Sequence, residues 1–298
     1  NYAFSTTGSN YMSSSWDVNE KFRNPTFGGG SPEVANQVTF RFKTNGLPTS
    51  NIPYSQSLWH LSGSISGSSA LTLRYTGSAY TSASYSGSTI DPYYQYAYLD
   101  FYPDVNTTDQ TASVYLPLFD GEWWSVAVSR DDNTSRNFTL RAANKIYEGG
   151  DNGTSIGFIS SSTVNFTSSN DIWRQPLQTS FFPSPSNILS TYTPFSGSYQ
   201  EVRYYLPPIN ESVFKDYTMN PHSIEGNTIN SSPDELCFRA PLGGELYTGS
   251  VSIHPRVTGS WAATQSFSSS NASNFYFNTT PTFLPNTEYF FADQPVAG

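Results

Sequence analysis

Phe119-Asp120-Gly121-Glu122-Trp123-Trp124-Ser125-Val126-Ala127-Val128 is the stretch on which the fold turns. Asp120-Gly121 has the chemistry of a tight turn, because glycine enters the left-handed backbone region without a steric penalty. The residues after it alternate, with Val126 and Val128 on one side and Ala127 on the other, which is the period of a β-strand packed on a core. Outward in both directions the same grammar repeats. Short β-rich runs cover Gln37 to Lys43, Leu58 to Ser62, Ala70 to Tyr75, Tyr94 to Tyr102, Ser113 to Leu118, Trp123 to Ser129, Phe138 to Ala143 and Tyr199 to Tyr205. Turn clusters such as Asn45-Gly46-Leu47-Pro48 and Gly149-Gly150-Asp151-Asn152-Gly153 separate them. Strands at this spacing predict an all-β chain, an antiparallel sandwich.

One segment departs from that period. Val213, Phe214 and Tyr217 fall at helical spacing, Asn210 is placed to cap the first turn, and Asn220-Pro221 stops it. Ile209 and Phe214 stand where a hydrophobic staple would put them, so one short helix is predicted after the last sandwich strand. Past Gly226 a polar linker leads to shorter strand-like runs at Leu236 to Arg239, Ser250 to His254, Asn274 to Phe277 and Glu288 to Phe291. The expected organisation is a sandwich over 1–227 and a small β module over 228–298 that leans on the sandwich or on a neighbouring subunit.

Composition narrows the class of function. Charged residues are 12% of the 298 residues and aromatic ones 16%, with a net charge of -9. The 14 basic residues are scattered, which leaves no footprint for neutralising phosphates and argues against a nucleic-acid partner. The apolar runs are far shorter than the roughly 18 residues of a membrane helix, so no membrane insertion is expected. Cys237 is alone, which excludes an internal disulfide and predicts a buried, inert thiol. The chain starts at Asn1 rather than Met, as expected of a processed product or of the ordered part of something longer.

Two motifs carry a resemblance. The stretch from Asp120 to Val128 resembles the "DG-x-W-H-x-V-x-V" strand of laminin-G-like and concanavalin A-like jelly rolls. Phe195-Ser196-Gly197-Ser198-Tyr199-Gln200-Glu201-Val202-Arg203-Tyr204-Tyr205, followed by the helix at Asn210 to Met219, is similar to the "F-x-G-x-x-x-E-x-R-x-Y" strand that closes such domains. The wider wording, including Gly243-Gly244-Glu245-Leu246-Tyr247-Thr248-Gly249, resembles laminin-G-like modules of surface and structural proteins of giant DNA viruses and environmental viral sequences. The resemblance implies a concanavalin A-like jelly roll and a place on a virion surface or outside the cell. It leaves the job open, because this fold hosts lectins, adhesion modules, hydrolases and inert spacers.

No arrangement of acids favours catalysis. A jelly-roll hydrolase would need two carboxylates facing each other about 5 to 10 Å apart, and no "E-x-D-x-x-E" spacing occurs. Glu201 is expected to pair with Arg203, and Glu122 to end a turn. His60, His222 and His254 are too far apart in sequence for a close-spaced zinc motif. Calcium is the one cofactor candidate, through the oxygen-rich turns that contain Asp131, Asp132 and Asp151.

The surface with most to offer is aromatic. The pleat sends Tyr94, Tyr96 and Tyr98 to one face and Ala97, Leu99 and Phe101 to the other, and the second set is the better core. Outward tyrosines stack on sugars, pack against another subunit, or form ordinary cross-strand pairs. Asparagine sequons stand at Asn106, Asn133, Asn137, Asn152, Asn165, Asn210, Asn230, Asn271 and Asn278, with Asn210 better explained as the helix cap. The first expectation is a non-enzymatic surface or structural protein that assembles with copies of itself into a virion layer, fibre or extracellular filament. A carbohydrate-binding adhesion module is the alternative, and a polysaccharide-cleaving enzyme the third.

Overall fold

The computed structural model describes residues 2–6, 10–17, 35–48, 54–63, 67–75, 95–132, 135–148, 153–167, 172–174, 177–184, 189, 191–205, 207–221, 236–240, 242, 275–277 and 282–285. In chain order the strands are β1 (Tyr2–Thr6), β2 (Met12–Asp17), β3 (Gln37–Thr44), β4 (Ser55–Gly63), β5 (Ser68–Tyr75), β6 (Ala97–Tyr102), β7 (Ala112–Leu116) and β8 (Trp124–Arg130). They continue with β9 (Asn137–Tyr147), β10 (Thr154–Asn165), β11 (Leu177–Phe182), β12 (Thr193–Pro194), β13 (Gly197–Tyr205), β14 (Leu236–Ala240), β15 (Phe275–Phe277) and β16 (Thr282–Pro285). One helix, α1 (Glu211–Met219), follows β13.

The strands form two sheets. The first runs β10-β9-β8-β3-β13-β1-β16 with β14 beside β13, and the second β15-β2-β11-β4-β5-β6-β7 with β12 beside β4. Every pair is antiparallel except the two-residue contact of β12 with β4. This is the expected all-β sandwich with one short helix. Within 228–298, the described strands are members of these same sheets: β14 pairs with β13, β15 with β2, and β16 with β1. The runs expected at Ser250 to His254 and Glu288 to Phe291 lie outside the described residues.

The core lies between the sheets and is aromatic. Phe40 meets Phe182 edge-on at 5.2 Å and Tyr199 at 5.9 Å, and Trp59 meets Trp173 at 5.8 Å. Each buried ring with a polar tip finds a partner, as burial demands. Trp59 Nε1 donates to Ser180 Oγ at 2.7 Å, Trp173 Nε1 to Ser69 Oγ at 3.0 Å, and Tyr199 Oη to the Leu58 carbonyl at 2.6 Å. In the deciding stretch, Gly121 has φ +81, and Asp120 accepts from the Glu122 amide and from Trp124 Nε1. Burial raises the Asp120 carboxyl above its usual range against those bonds.

β8 is buried on both faces. Val126 and Val128 enter the core between the sheets. Ala127 instead packs with Ala143, Tyr205, Ile209, Val213, Phe214 and Tyr217 under α1. The helix stands where its sequence signals place it, with Asn210 Oδ1 accepting from the Val213 amide at 3.0 Å. Thus α1 forms a third layer over the outer face of the first sheet. Beneath it Arg203 pairs with Glu201 at 2.9 Å, both almost fully buried, and the Arg203 guanidinium lies 4.8 Å from the Tyr217 ring centre. Burial works against the Arg203 charge, but Tyr205, Glu201 and Tyr217 outweigh it and hold the proton more firmly than usual.

Candidate functional site

Among the described residues no helix lies over β5, β6 and β7, where Arg74, Tyr98 and Tyr115 are partly exposed while Thr72 and Asp100 are fully buried. Pairing in register turns alternate residues of these strands into two straight rows. Arg74 faces Tyr98, and Tyr98 faces Tyr115. In the adjoining row Thr72 faces Asp100, and Asp100 faces Ser113. Ala97, Leu99 and Phe101, the intervening β6 residues, are fully buried in the core. This follows from the two-residue period alone.

The first row is a platform. The Arg74 guanidinium sits 4.4 Å from the Tyr98 ring centre, Tyr98 lies 4.7 Å from Tyr115, and Tyr96 lies 5.1 Å from Tyr115. Tyr115 is 40% exposed. The second row holds the first in place. Asp100 is buried, receives Arg74 Nε on Oδ2 at 2.8 Å and Ser113 Oγ on Oδ1 at 2.5 Å, and so fixes the guanidinium over Tyr98. Partial burial opposes the Arg74 charge, and the Asp100 carboxylate more than compensates, so Arg74 stays protonated beyond its ordinary value. The pair is neutral in sum. Farther along β6, Tyr102 is held by Tyr192, and burial raises its hydroxyl well above the usual tyrosine range.

Such a face suits stacking and hydrogen-bond donation. Tyr98 stands between Arg74 and Tyr115, so the row offers a sugar ring edges, phenol hydroxyls and guanidinium donors. A nucleophile with an adjoining base is lacking among these residues. Glu201 is closed under α1 with Arg203, Glu122 is exposed in the turn before β8, and Asp104 accepts from the Asn106 amide and Nδ2.

Of the tyrosines expected on this face, Tyr96 and Tyr98 come together with Tyr115, while Tyr94 lies outside the described residues. Arg74, Asp100, Ser113 and Tyr115 were not among the expected site residues. Alternation within Ser113 to Leu118 already puts Tyr115 on the side opposite Val114 and Leu116, which is the signal that could have found it. Nothing local marks Arg74 and Asp100 as partners.

The calcium candidates do not converge among the described residues. Asp131 and Asp132 are exposed in the turn after β8, Asp132 Oδ1 accepts the Ser135 amide at 2.7 Å, and Asp151 lies outside the described residues. Among the described residues no group of three or more His, Cys, Asp or Glu is placed to hold a metal ion. His60 is stacked on Phe181 at 5.1 Å with Ser68 and Ser184 at its ring nitrogens, and burial lowers its pKa to about 4. Among the sequons, Asn106, Asn137 and Asn165 are exposed. Asn165 Nδ2 donates to Asn137 Oδ1 at 2.5 Å across β9 and β10. Asn133, Asn152, Asn230, Asn271 and Asn278 lie outside the described residues. No described helix is long and apolar enough to cross a membrane.

No family model matches the chain, and no curated protein matches it by sequence. Among solved structures it is similar to the CBM40 module of Ruminococcus gnavus IT-sialidase, with a TM-score of 0.39 and 12% identity over 73% of this chain and 97% of that one. It is also similar to a proposed carbohydrate-binding protein from Bacteroides ovatus, with a TM-score of 0.41 and 13% identity over 95% of this chain and 60% of that one. The enzymatically active domain of tailspike protein 2 of bacteriophage CBA120 gives a TM-score of 0.42 and 13% identity over 82% of this chain. The chain spans 34% of that tailspike domain. At such values these likenesses carry neither ligand nor activity to this chain.

Proposed function

We propose that the protein is a non-catalytic glycan-binding module whose ligand lies across the Arg74, Tyr98 and Tyr115 row. One observation carries this reading: a guanidinium and two tyrosine rings, on three neighbouring strands, are stacked in line by register and braced from behind by a buried Asp100. A sugar laid along the row meets the outward edges of Tyr98 and Tyr115, whose faces are engaged by Arg74, Tyr96 and each other, and its hydroxyls meet the Arg74 donors and the phenol oxygens. Since Arg74 and Asp100 cancel, the face selects by shape and hydroxyl pattern rather than by charge. Neutral glycans are the expected class, and their binding should vary little with salt.

An extracellular or virion-surface setting is proposed with it, resting on a charge-poor composition and nine sequons. The first expectation, a self-assembling coat or filament, draws no support from this face.

Titration calorimetry against a panel of neutral and acidic oligosaccharides tests the reading. Tyr98→Ala and Tyr115→Ala should each weaken binding by about tenfold, roughly 1.4 kcal/mol, with the fold intact by circular dichroism. A folded protein that binds no glycan of the panel, or binding that neither substitution changes, would overturn it.

A further inference from the structure

β10 closes one end of the first sheet, and its outer side is unpaired among the described residues. It is the longest strand, with 12 residues, about 40 Å at roughly 3.3 Å each. Monomeric sheet proteins blunt such an edge with lysine, proline or a bulge. Thr154 to Asn165 contains no Asp, Glu, Lys, Arg or Pro. Its one irregularity, between Ile156 and Phe158, lies near the N-terminal end, and from Phe158 to Asn165 the register with β9 is unbroken. Large apolar side chains of the same hairpin are exposed: Phe158 at 41%, Ile159 at 39%, Ile146 at 38% and Tyr147 at 58%.

The other free ends of the sheets are poorer templates. β15 has 3 residues and β16 has 4. β7 has 5 residues and spends its Ser113 amide on Ser162 Oγ of β10 itself.

We infer that β10 is an association edge, and that its partner is β10 of a second copy of this chain, paired antiparallel about a two-fold axis. The charge pattern selects this occupant. A strand pairing with itself across a two-fold brings each side chain close to its own copy or a near neighbour, so any charge on it meets a like charge. β10 carries no charge, so a two-fold seam along it sets no like charges side by side even in a chain of net charge -9. The join extends the first sheet across both copies and covers Phe158 and Ile159 at the seam. It does not rest on the glycan reading, although β7, which carries Tyr115, touches β10 through Ser113 and Ser162.

Sedimentation velocity over a concentration series tests it, on the full chain made without N-glycosylation because Asn165 ends this edge. The expected result is a concentration-dependent dimer that Ser161→Lys/Thr163→Lys converts to a monomer with unchanged circular dichroism. Thr191→Lys, exposed in the turn before β12 at the β4 part of the second sheet, should leave the dimer intact. Hydrogen exchange on the unmodified chain gives a second readout, in which amides of 158–165 gain protection as concentration rises. A monomer at every concentration, a dimer untouched by the lysine pair, or exchange of 158–165 independent of concentration would each overturn the inference.

Discussion

The two outer faces of the sandwich obey one pleat and end differently. On the first sheet α1 lies over Ala127, Ala143 and Tyr205, and even the charged pair Glu201 and Arg203 is sealed beneath it. On the second sheet the Arg74, Tyr98 and Tyr115 row stays partly exposed, although Thr72 and Asp100 beside it are buried, and β7 alternates cleanly between buried and exposed residues. Alternation makes rows of side chains. Whether a row becomes core or contact surface depends on the presence of a third layer, and that layer decides how much each residue contributes to stability.

The sharpest way to break this contrast is to cut one ring from each face. Phe214→Ala, on the inner side of α1 and fully buried, should cost about 3–5 kcal/mol, whereas Tyr115→Ala, part-exposed on the second sheet, should stay within about 0.5 kcal/mol. Urea unfolding of both variants checks the difference, and similar losses would erase the distinction between the faces.

Next in size is the sealed ion pair. Glu201→Ala leaves Arg203 buried without its carboxylate and should destabilise by about 3 kcal/mol. Replacing both, with Arg203→Met, should recover part of that loss, which a double-mutant cycle measures. If the double variant is less stable than the sum of the singles, the pair is not the source of the cost.

A smaller effect sharpens the comparison within the second sheet, where His60 is buried against Phe181 while the tyrosine row is not. Burial holds the folded His60 pKa near about 4, below the ordinary 6.5. The unfolded chain therefore binds the proton more readily. The His60 contribution is fully present above about pH 6.5 and is lost as pH falls from there toward about 4, the loss reaching about 2 kcal/mol by pH 5. His60→Gln should flatten this part of the stability curve between neutral pH and pH 5, as thermal unfolding would show. An unchanged slope would mean that other groups carry it.

The smallest expected change is Asn210→Ala, which removes the acceptor for the Val213 amide at the start of α1. It should cost about 1 kcal/mol, read by urea unfolding, and should leave any binding at the tyrosine row untouched. A loss near zero would show that packing of the helix on the sheet supplies its whole stability.

Legibility followed locality. The helix was readable because cap, staple and apolar spacing lie within a dozen residues, and Asn210 and Phe214 take those roles in the structure. The inward and outward sides of β6 and β8 were readable from alternation. β10 was not, because Thr154 to Asn165 is largely polar, and a strand with both sides part-exposed has no core-facing period to show. The ends of strands drifted as well: the run expected from Ser113 to Leu118 became Ala112–Leu116, where a turn takes Pro117 and Leu118. At the candidate site, the tyrosines were visible and their support was not. Asp100 braces Arg74 from 26 residues away, through strand pairing that no local pattern encodes.

Residue by residue, the chain determined many of its strands, its helix and the two faces of strands such as β6 and β8, because backbone preference and side-chain period act over a few neighbours. The tertiary structure alone decided which strands lie side by side, hence that Arg74, Tyr98 and Tyr115 form a row, and which outer face α1 covers. Those outcomes depend on pairing between residues distant in sequence, where the gain from burying a whole layer selects one register among many that local rules allow.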